Sequence, residues 1–325
     1  MNNLPTLLKR EYWENKGGFF YTPIIIGSFL LLTLLFGLFN TDHLIETHAD
    51  ELGPFNLRGI EISGMVGMEF LGDLSKEFAK LSLERRQEVW DLTFYGLSSS
   101  FSVVLLILSL NYLLGCLYDD RKDRSILFWK SLPVSDLMTV TSKVLTALVV
   151  LPLLFTLASA VTFLGFLLIS TVAALIAGTG GSIWAAIWEP APLITGPLNL
   201  FANYFMQGLW AAPFLGWLLL VSSWTKRKPI LMATIPLGII MFLEAYYYRT
   251  TRFADLVLER LYGWLAPVDF ETSRHLVTGD LISNQVEMYA QPMAFFGVAE
   301  LWYGLALAAI FFAGAVFIRR YRDES

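Results

Sequence analysis

The chain of 325 residues is too apolar for a soluble protein of its length. Hydrophobic residues make up 55% of it and charged residues only 16%, the mean hydropathy is +0.57 and the net charge is −5. About a quarter of the residues of a soluble domain are charged, whereas lipid covers the apolar exterior of a membrane protein. The single cysteine, Cys116, excludes an intrachain disulfide and a cysteine-based metal cluster. The composition therefore predicts an all-α integral membrane protein.

Long uncharged stretches mark the predicted spans, because a charged side chain at a helix centre costs about 2.5–3.5 kcal/mol on insertion. Each stretch contains the roughly 20 residues that one crossing needs. Six transmembrane helices are predicted, at about 21–40, 93–117, 144–177, 198–224, 230–248 and 301–318. The first is expected to remain as an anchor, because no small-x-small cleavage site follows it.

The distribution of Lys and Arg predicts the orientation of these spans. Fourteen of the 23 Lys and Arg residues lie on one side, in segments 1–20, 118–143, 225–229 and 319–325. The other nine lie in the opposite loops, 41–92, 178–197 and 249–298. Because loops rich in Lys and Arg stay in the cytoplasm, both termini are predicted to be cytoplasmic.

The two large outer loops, 41–92 and 249–298, show apolar residues at helical spacing. In the first, Ser82 can cap a helix that runs to Trp90. In the second, an apolar face extends from Phe253 until Pro267 ends the helix. We expect these helices to pack on the outer ends of the spans or to lie along the membrane surface.

Signatures of enzyme chemistry are missing from the sequence. It contains no phosphate-binding Gly-x-x-x-x-Gly-Lys-Ser/Thr, no His-Glu-x-x-His and no Gly-x-Ser-x-Gly. The three histidines, His43, His48 and His275, stand at spacings that match no metal motif. We therefore predict no enzyme activity, catalytic residue, metal site or cofactor in this chain, and no nucleic-acid partner.

Polar residues inside the predicted spans are candidates for function, because ionisable and polar groups are costly in lipid. The candidate intramembrane polar site consists of Asn111, Asn203, Gln207 and Glu244. Glu244 lies one turn before a run of three tyrosines and Arg249. It is therefore also interpreted as a structural residue of the outer interface, paired with Arg249 or extended to water, and we favour that interpretation.

The loop between the second and third spans carries the strongest pattern. Its apolar residues form a face too short to cross a membrane: Ile126, Leu127, Phe128, Trp129 and Leu132. Pro133 ends this face, and Ser135 can begin the next helix. Taken alone, the loop fits a segment that docks on another protein and equally a hairpin that lies on lipid headgroups.

The same loop resembles the coupling-helix loop of type-2 ATP-binding-cassette (ABC) transporter permeases. The matching residues are Asp120-Arg121, Ser125-Ile126-Leu127, Leu132-Pro133-Val134-Ser135 and Lys143. Two positions depart from that pattern, because Asp120 stands where Glu is usual and Arg124-Ser125 replaces Gly-Thr. The segment Leu7–Glu11 is similar to the interfacial elbow helix of that family. The resemblance thus implies an elbow helix in 1–20 and a six-span permease domain in 21–325.

The resemblance further implies an exporter subunit that moves an unknown substrate by alternating access and resides in the plasma (inner) membrane. Its partners would be a second copy or a related permease, the lipid bilayer, and a separate ABC ATPase that binds ATP and magnesium. The residues implied to contact the ATPase are Asp120, Arg121, Arg124, Ile126, Leu127, Phe128, Trp129, Leu132 and Pro133. Two alternatives stay open: an ATPase-coupled scaffold or mechanical relay that passes no substrate, and an ion-coupled secondary carrier.

Overall fold

The computed structural model describes residues 4–45, 55–57, 60–62, 81–123, 134–176, 183–262 and 292–321. The segment 124–133, which holds most of the predicted coupling helix, lies outside these described residues. The helices are α1 (Leu4–Glu14), α2 (Thr22–Ile45), α3 (Leu83–Lys122), α4 (Asp136–Leu145), α5 (Leu151–Ile176), α6 (Thr195–Trp210), α7 (Ala212–Trp224), α8 (Pro229–Tyr247), α9 (Arg252–Tyr262), α10 (Pro292–Gly297) and α11 (Ala299–Tyr321). Three π-helical segments add to them, Gly17–Tyr21, Thr146–Val150 and Trp184–Trp188. Two short antiparallel strands, β1 (Phe55–Leu57) and β2 (Ile60–Ile62), form a hairpin.

The expected class, a helical membrane protein, is confirmed. Five helical stretches of the described chain are long and apolar enough to cross a membrane: Gly17–Leu38, Leu83–Lys122, Asp136–Ile176, Pro229–Tyr247 and Ala299–Tyr321. The helices α6 and α7 are long and apolar enough only when taken together, and they meet at an angle of 64°. They make a sixth crossing if the pair is one broken span. Pro213, in the first turn of α7, has no N–H to continue the ladder of α6, and it suits a helix start.

The helix predicted in the first outer segment differs from its predicted extent. The helix expected to end near Trp90 begins at Leu83, where the Arg85 N–H donates to Ser82 Oγ at 3.4 Å, and it continues without interruption through the second span to Lys122. No Pro stands within it to stop it. In the other loop, α9 is described from Arg252 to Tyr262, and its predicted end at Pro267 lies outside the described residues.

The chain divides into two compact units. The first contains Met1–Tyr21, Ser102–Phe155 and Asn199–Ser325. In it α11 packs along α7, where a Cβ on Gly216 would lie 3.3 Å from the Cα of Ala308. In lipid the hydrophobic effect does not drive helices together. Helices associate there through close packing at small residues, as in this contact.

The second unit contains Thr22–Phe101 and Thr156–Leu198. Aromatic rings fill its interior, and the centroids of Phe94 and Phe163 lie 5.1 Å apart in an edge-to-face contact. The Trp90 indole N–H donates to the Ala186 carbonyl at 3.0 Å, so the start of α3 is attached to the π-helical segment Trp184–Trp188. The second unit is thus held by aromatic packing and by this hydrogen bond.

Candidate functional site

The first unit contains a buried set of ionised side chains at the end where α1 lies. We call it the charge cluster, and its members are Arg10, Glu11, Asp120, Asp136, Lys143 and Arg319. They come from four helices, α1, α3, α4 and α11. Ionised groups are rarely buried unless they are paired, because burying a charge costs free energy. The described chain concentrates its charged side chains in this cluster despite that cost.

Lys143 is the centre of the cluster and is only 1% exposed. Its ammonium Nζ lies 3.1 Å from Glu11 Oε1 and 3.2 Å from Asp120 Oδ2. The second oxygen of Glu11 accepts a hydrogen bond from the Tyr112 hydroxyl at 2.7 Å. Lys143 therefore joins the N-terminal helix α1 directly to the end of α3.

Asp120 accepts from three cations, which explains why its carboxylate can be 6% exposed. Besides Lys143, Arg10 Nη2 lies 3.1 Å from Asp120 Oδ1, and Arg319 Nη1 lies 3.3 Å from Oδ2. Arg319 Nε also donates to Asp136 Oδ1 at 3.0 Å. Three carboxylates, those of Glu11, Asp120 and Asp136, thus face three cations, and the cluster has no net charge.

Arg10 lies at the boundary between the cluster and the surface. It also pairs with the exposed Glu14 at 2.8 Å. Burial alone would lower the pKa of the Arg10 guanidinium, but the hydrogen bond to Glu14 and the charges of Asp120 and Glu11 raise that pKa above its ordinary value. Arg10 is therefore a permanent cation of the cluster.

Arg121 fixes the end of α3 to the end of α7. Its guanidinium donates to the carbonyls of Ser222 and Thr225, the latter at 2.9 Å. The Ser222 hydroxyl in turn accepts from the Leu117 and Tyr118 N–H groups, each at 3.1 Å. A cation at unpaired carbonyls of a helix C-terminus is a favourable arrangement, so Asp120 and Arg121 together attach α3 to four other helices.

Of the residues predicted to contact an ATPase, only Asp120 and Arg121 are among those that the structure describes. Lys143, which belongs to the same motif, meets Asp120 in the cluster. The remaining predicted contacts, Arg124, Ile126, Leu127, Phe128, Trp129, Leu132 and Pro133, lie outside the described residues. Contact of any of them with an ATPase stays a prediction.

Asp120 was predicted as a site residue and Lys143 as part of the loop motif, whereas four members of the cluster were not recognised: Arg10, Glu11, Asp136 and Arg319. The sequence does contain an indication for Glu11. It lies four residues after Leu7 and therefore on the same face of α1, so a carboxylate faces inward beside an apolar side chain. Arg319 had none, since an arginine that follows an apolar span looks the same whether it faces water or a buried carboxylate.

The predicted intramembrane polar site does not converge. Asn203 and Gln207 are both buried one turn apart on α6, but Asn111 is exposed and its side-chain amide donates to the Ile107 carbonyl of its own helix at 2.7 Å. Glu244 lies at the end of α8. Among the described hydrogen bonds, none joins any two of these four side chains.

Glu244 caps the first turn of α9. One carboxylate oxygen accepts from the Thr250 hydroxyl and the other from the Phe253 N–H, each at 2.8 Å. The turn between the helices passes through Arg249, whose φ of 52° lies in the left-handed region. A carboxylate at a helix N-terminus satisfies N–H groups that lack helical acceptors, which gives Glu244 a structural role.

Comparison of the chain with protein-family models, with curated proteins and with solved structures finds no match. In the described part of the chain, no group of three His, Cys, Asp or Glu residues is arranged to hold a metal ion.

Proposed function

We propose that the chain is the transmembrane permease subunit of an ABC exporter. It resides in the plasma (inner) membrane with both termini in the cytoplasm and pairs with a second copy or a related permease. A separate ATPase subunit docks on the loop 124–133 and supplies the energy of ATP hydrolysis. The residue pattern of that loop supports this proposal, and so does the way the charge cluster brackets it.

The bracketing of the loop is the observation that carries the proposal. Asp120 precedes the loop, Asp136 and Lys143 follow it, and Lys143 bridges back to Asp120 at 3.2 Å. Through Glu11 and Arg319 the same residues hold α1 and α11. A force applied to the loop would therefore reach four helices together.

The strength of these links suits the transmission of force. Pulling these partners apart inside the protein would leave buried charges uncompensated. One such charge costs about 3–5 kcal/mol, several times the thermal energy of about 0.6 kcal/mol. The helix ends would therefore move as one body when the ATPase subunits close, and a rigid-body movement of this type would alternate access to a path between the two permease copies.

Isolation of the full chain from its native membrane in mild detergent tests the proposal. We expect it to co-purify with a subunit that carries a Walker-type phosphate loop and hydrolyses ATP. The variant Phe128→Ala/Trp129→Ala should lose this subunit, because burying a large apolar side chain contributes about 1.5–3 kcal/mol. A matched control, Phe242→Ala/Tyr246→Ala, removes two exposed aromatic side chains of α8 and should retain it. Purification without an ATPase, or retention by the first variant, would contradict the proposal.

A mechanical relay would bind the same ATPase, so transport needs its own measurement. Inverted membrane vesicles would be incubated with a cell extract and ATP, and their contents analysed by untargeted mass spectrometry. An exporter should accumulate at least one compound only when ATP is hydrolysed. Hydrolysis that depends on the chain without accumulation would instead support the relay.

A further inference from the structure

A lysine and three aromatic side chains meet where α1 leads into the first span. The lysine–aromatic cluster consists of Trp13, Lys16, Phe20 and Tyr21. The Lys16 ammonium lies 5.2 Å from the ring centroid of Trp13, 5.6 Å from Tyr21 and 5.9 Å from Phe20. These distances are within the range of cation–π attraction.

Helical geometry brings the four side chains to one face. Trp13 is three residues before Lys16, Phe20 is four after it and Tyr21 five after it, and the segment Gly17–Tyr21 is π-helical. The wider π turn places residues five apart above one another. The rings point away from the protein, since Trp13 is 56% exposed, Tyr21 50% and Phe20 40%.

The opposite face of the same segment packs inward. Leu7 and Glu11 are buried, and Phe19 contacts Tyr112 with ring centroids 5.4 Å apart. The lysine–aromatic cluster is thus the outward surface of a segment whose other side is fixed. When the apolar stretch Gly17–Leu38 crosses the bilayer, the position of the cluster at its start corresponds to the level of lipid headgroups.

Lys16 differs from its neighbour Arg10 in its charge partners. Arg10 pairs with Glu14 and Asp120, whereas none of the described carboxylates lies within ion-pair distance of Lys16. Its positive charge is therefore available at a depth where anionic headgroups are found. Tryptophan and tyrosine favour the same depth because each combines an apolar ring with a polar group.

We propose that the lysine–aromatic cluster binds the headgroup of an anionic phospholipid in the leaflet that borders the N-terminal end of the first span. The Lys16 ammonium pairs with the phosphate, and the Trp13 indole N–H and Tyr21 hydroxyl donate to phosphate or glycerol oxygens. Phe20 contacts the first carbons of the acyl chains. This site is independent of the proposed transport function.

Site-specific photolabelling of the full chain in detergent micelles tests the proposal. The probe is a photoactivatable phosphatidylglycerol at subsaturating concentration, and labelling of residues 10–25 is quantified by mass spectrometry. We expect Lys16→Gln to reduce labelling about fivefold, the effect of roughly 1 kcal/mol per basic residue near an anionic surface. Trp13→Ala should reduce it as well. Unlabelled phosphatidylglycerol should compete, and phosphatidylcholine should not.

Two control variants separate a specific site from a general charge effect. Lys9→Gln removes the same charge from an exposed position of α1, and Lys16→Arg keeps the charge within the cluster. Both should retain labelling within twofold. Equal labelling of Lys16→Gln and the wild type would overturn the proposal, as would an equal loss in Lys9→Gln, and so would full competition by phosphatidylcholine.

Discussion

Replacing Lys143 with methionine removes the central cation of the charge cluster while keeping a side chain of similar length. Lys143 is 1% exposed and lies within 3.2 Å of two carboxylates, so solvent does not screen its loss. Asp120 keeps Arg10 and Arg319, whereas Glu11 keeps only the Tyr112 hydroxyl among its described partners. The buried charge that is left without a cation is therefore mainly that of the Glu11 carboxylate. Leaving one buried charge uncompensated costs about 3–5 kcal/mol.

The free energy of unfolding, measured by reversible unfolding in SDS, reports this loss. We expect Lys143→Met to lower it by about 3–5 kcal/mol, and Lys226→Met, which removes an exposed lysine, to change it by less than about 0.5 kcal/mol. Glu11→Gln in the Lys143→Met background should restore part of the loss, with a coupling energy of about 0.5–3 kcal/mol. Equal stabilities of the two lysine variants, or additive effects of the pair, would refute the reasoning.

Three other predictions concern coupling, packing and topology. Asp120→Asn should leave the ATPase bound but lower ATP-dependent accumulation in vesicles at least tenfold relative to hydrolysis, because α1, α4 and α11 lose the carboxylate that they share; an unchanged ratio would argue against force passing through the cluster. Gly216→Ala should destabilise the α7–α11 contact by about 1–3 kcal/mol, as measured by SDS unfolding, whereas Gly238→Ala, whose Cβ would meet nothing within 4 Å, should not. In a cysteine-free background, a cysteine at Glu271 should react with an impermeant maleimide added to intact cells and one at Asp123 should not; the reverse pattern would invert the predicted orientation.

The spans were predictable because the cost of inserting a charge is large and local. A long stretch without Asp, Glu, Lys or Arg is easily recognised in the sequence. Five helical stretches of the described chain that overlap such stretches are long and apolar enough to cross a membrane. The 64° bend between α6 and α7 lies at Pro213, a proline inside a predicted span, where a kink is the expected effect. The continuation of α3 through Asp91 was missed because a charge was read as the end of a span, although a helix can extend beyond the membrane.

The charge cluster was only partly predictable. Asp120 and Lys143 belong to one recognisable motif, but the partners that bury them are remote in sequence. Glu11 is 132 residues from Lys143, and Arg319 is 199 residues from Asp120. Helical periodicity shows which face a residue occupies and not which helix packs on that face. Ion pairs between residues so remote in sequence can be recognised only in the folded structure.

The docking of an ATPase on loop 124–133 is the central claim, and site-specific crosslinking tests it most directly. A photoreactive phenylalanine derivative would be introduced at Phe128, and at Phe242 as a control on the exposed face of α8. Cells expressing each variant would be irradiated, and the adducts identified by mass spectrometry. The account predicts that position 128 crosslinks to a subunit with a Walker-type phosphate loop and that position 242 does not. Adducts of position 128 with lipid alone would contradict it.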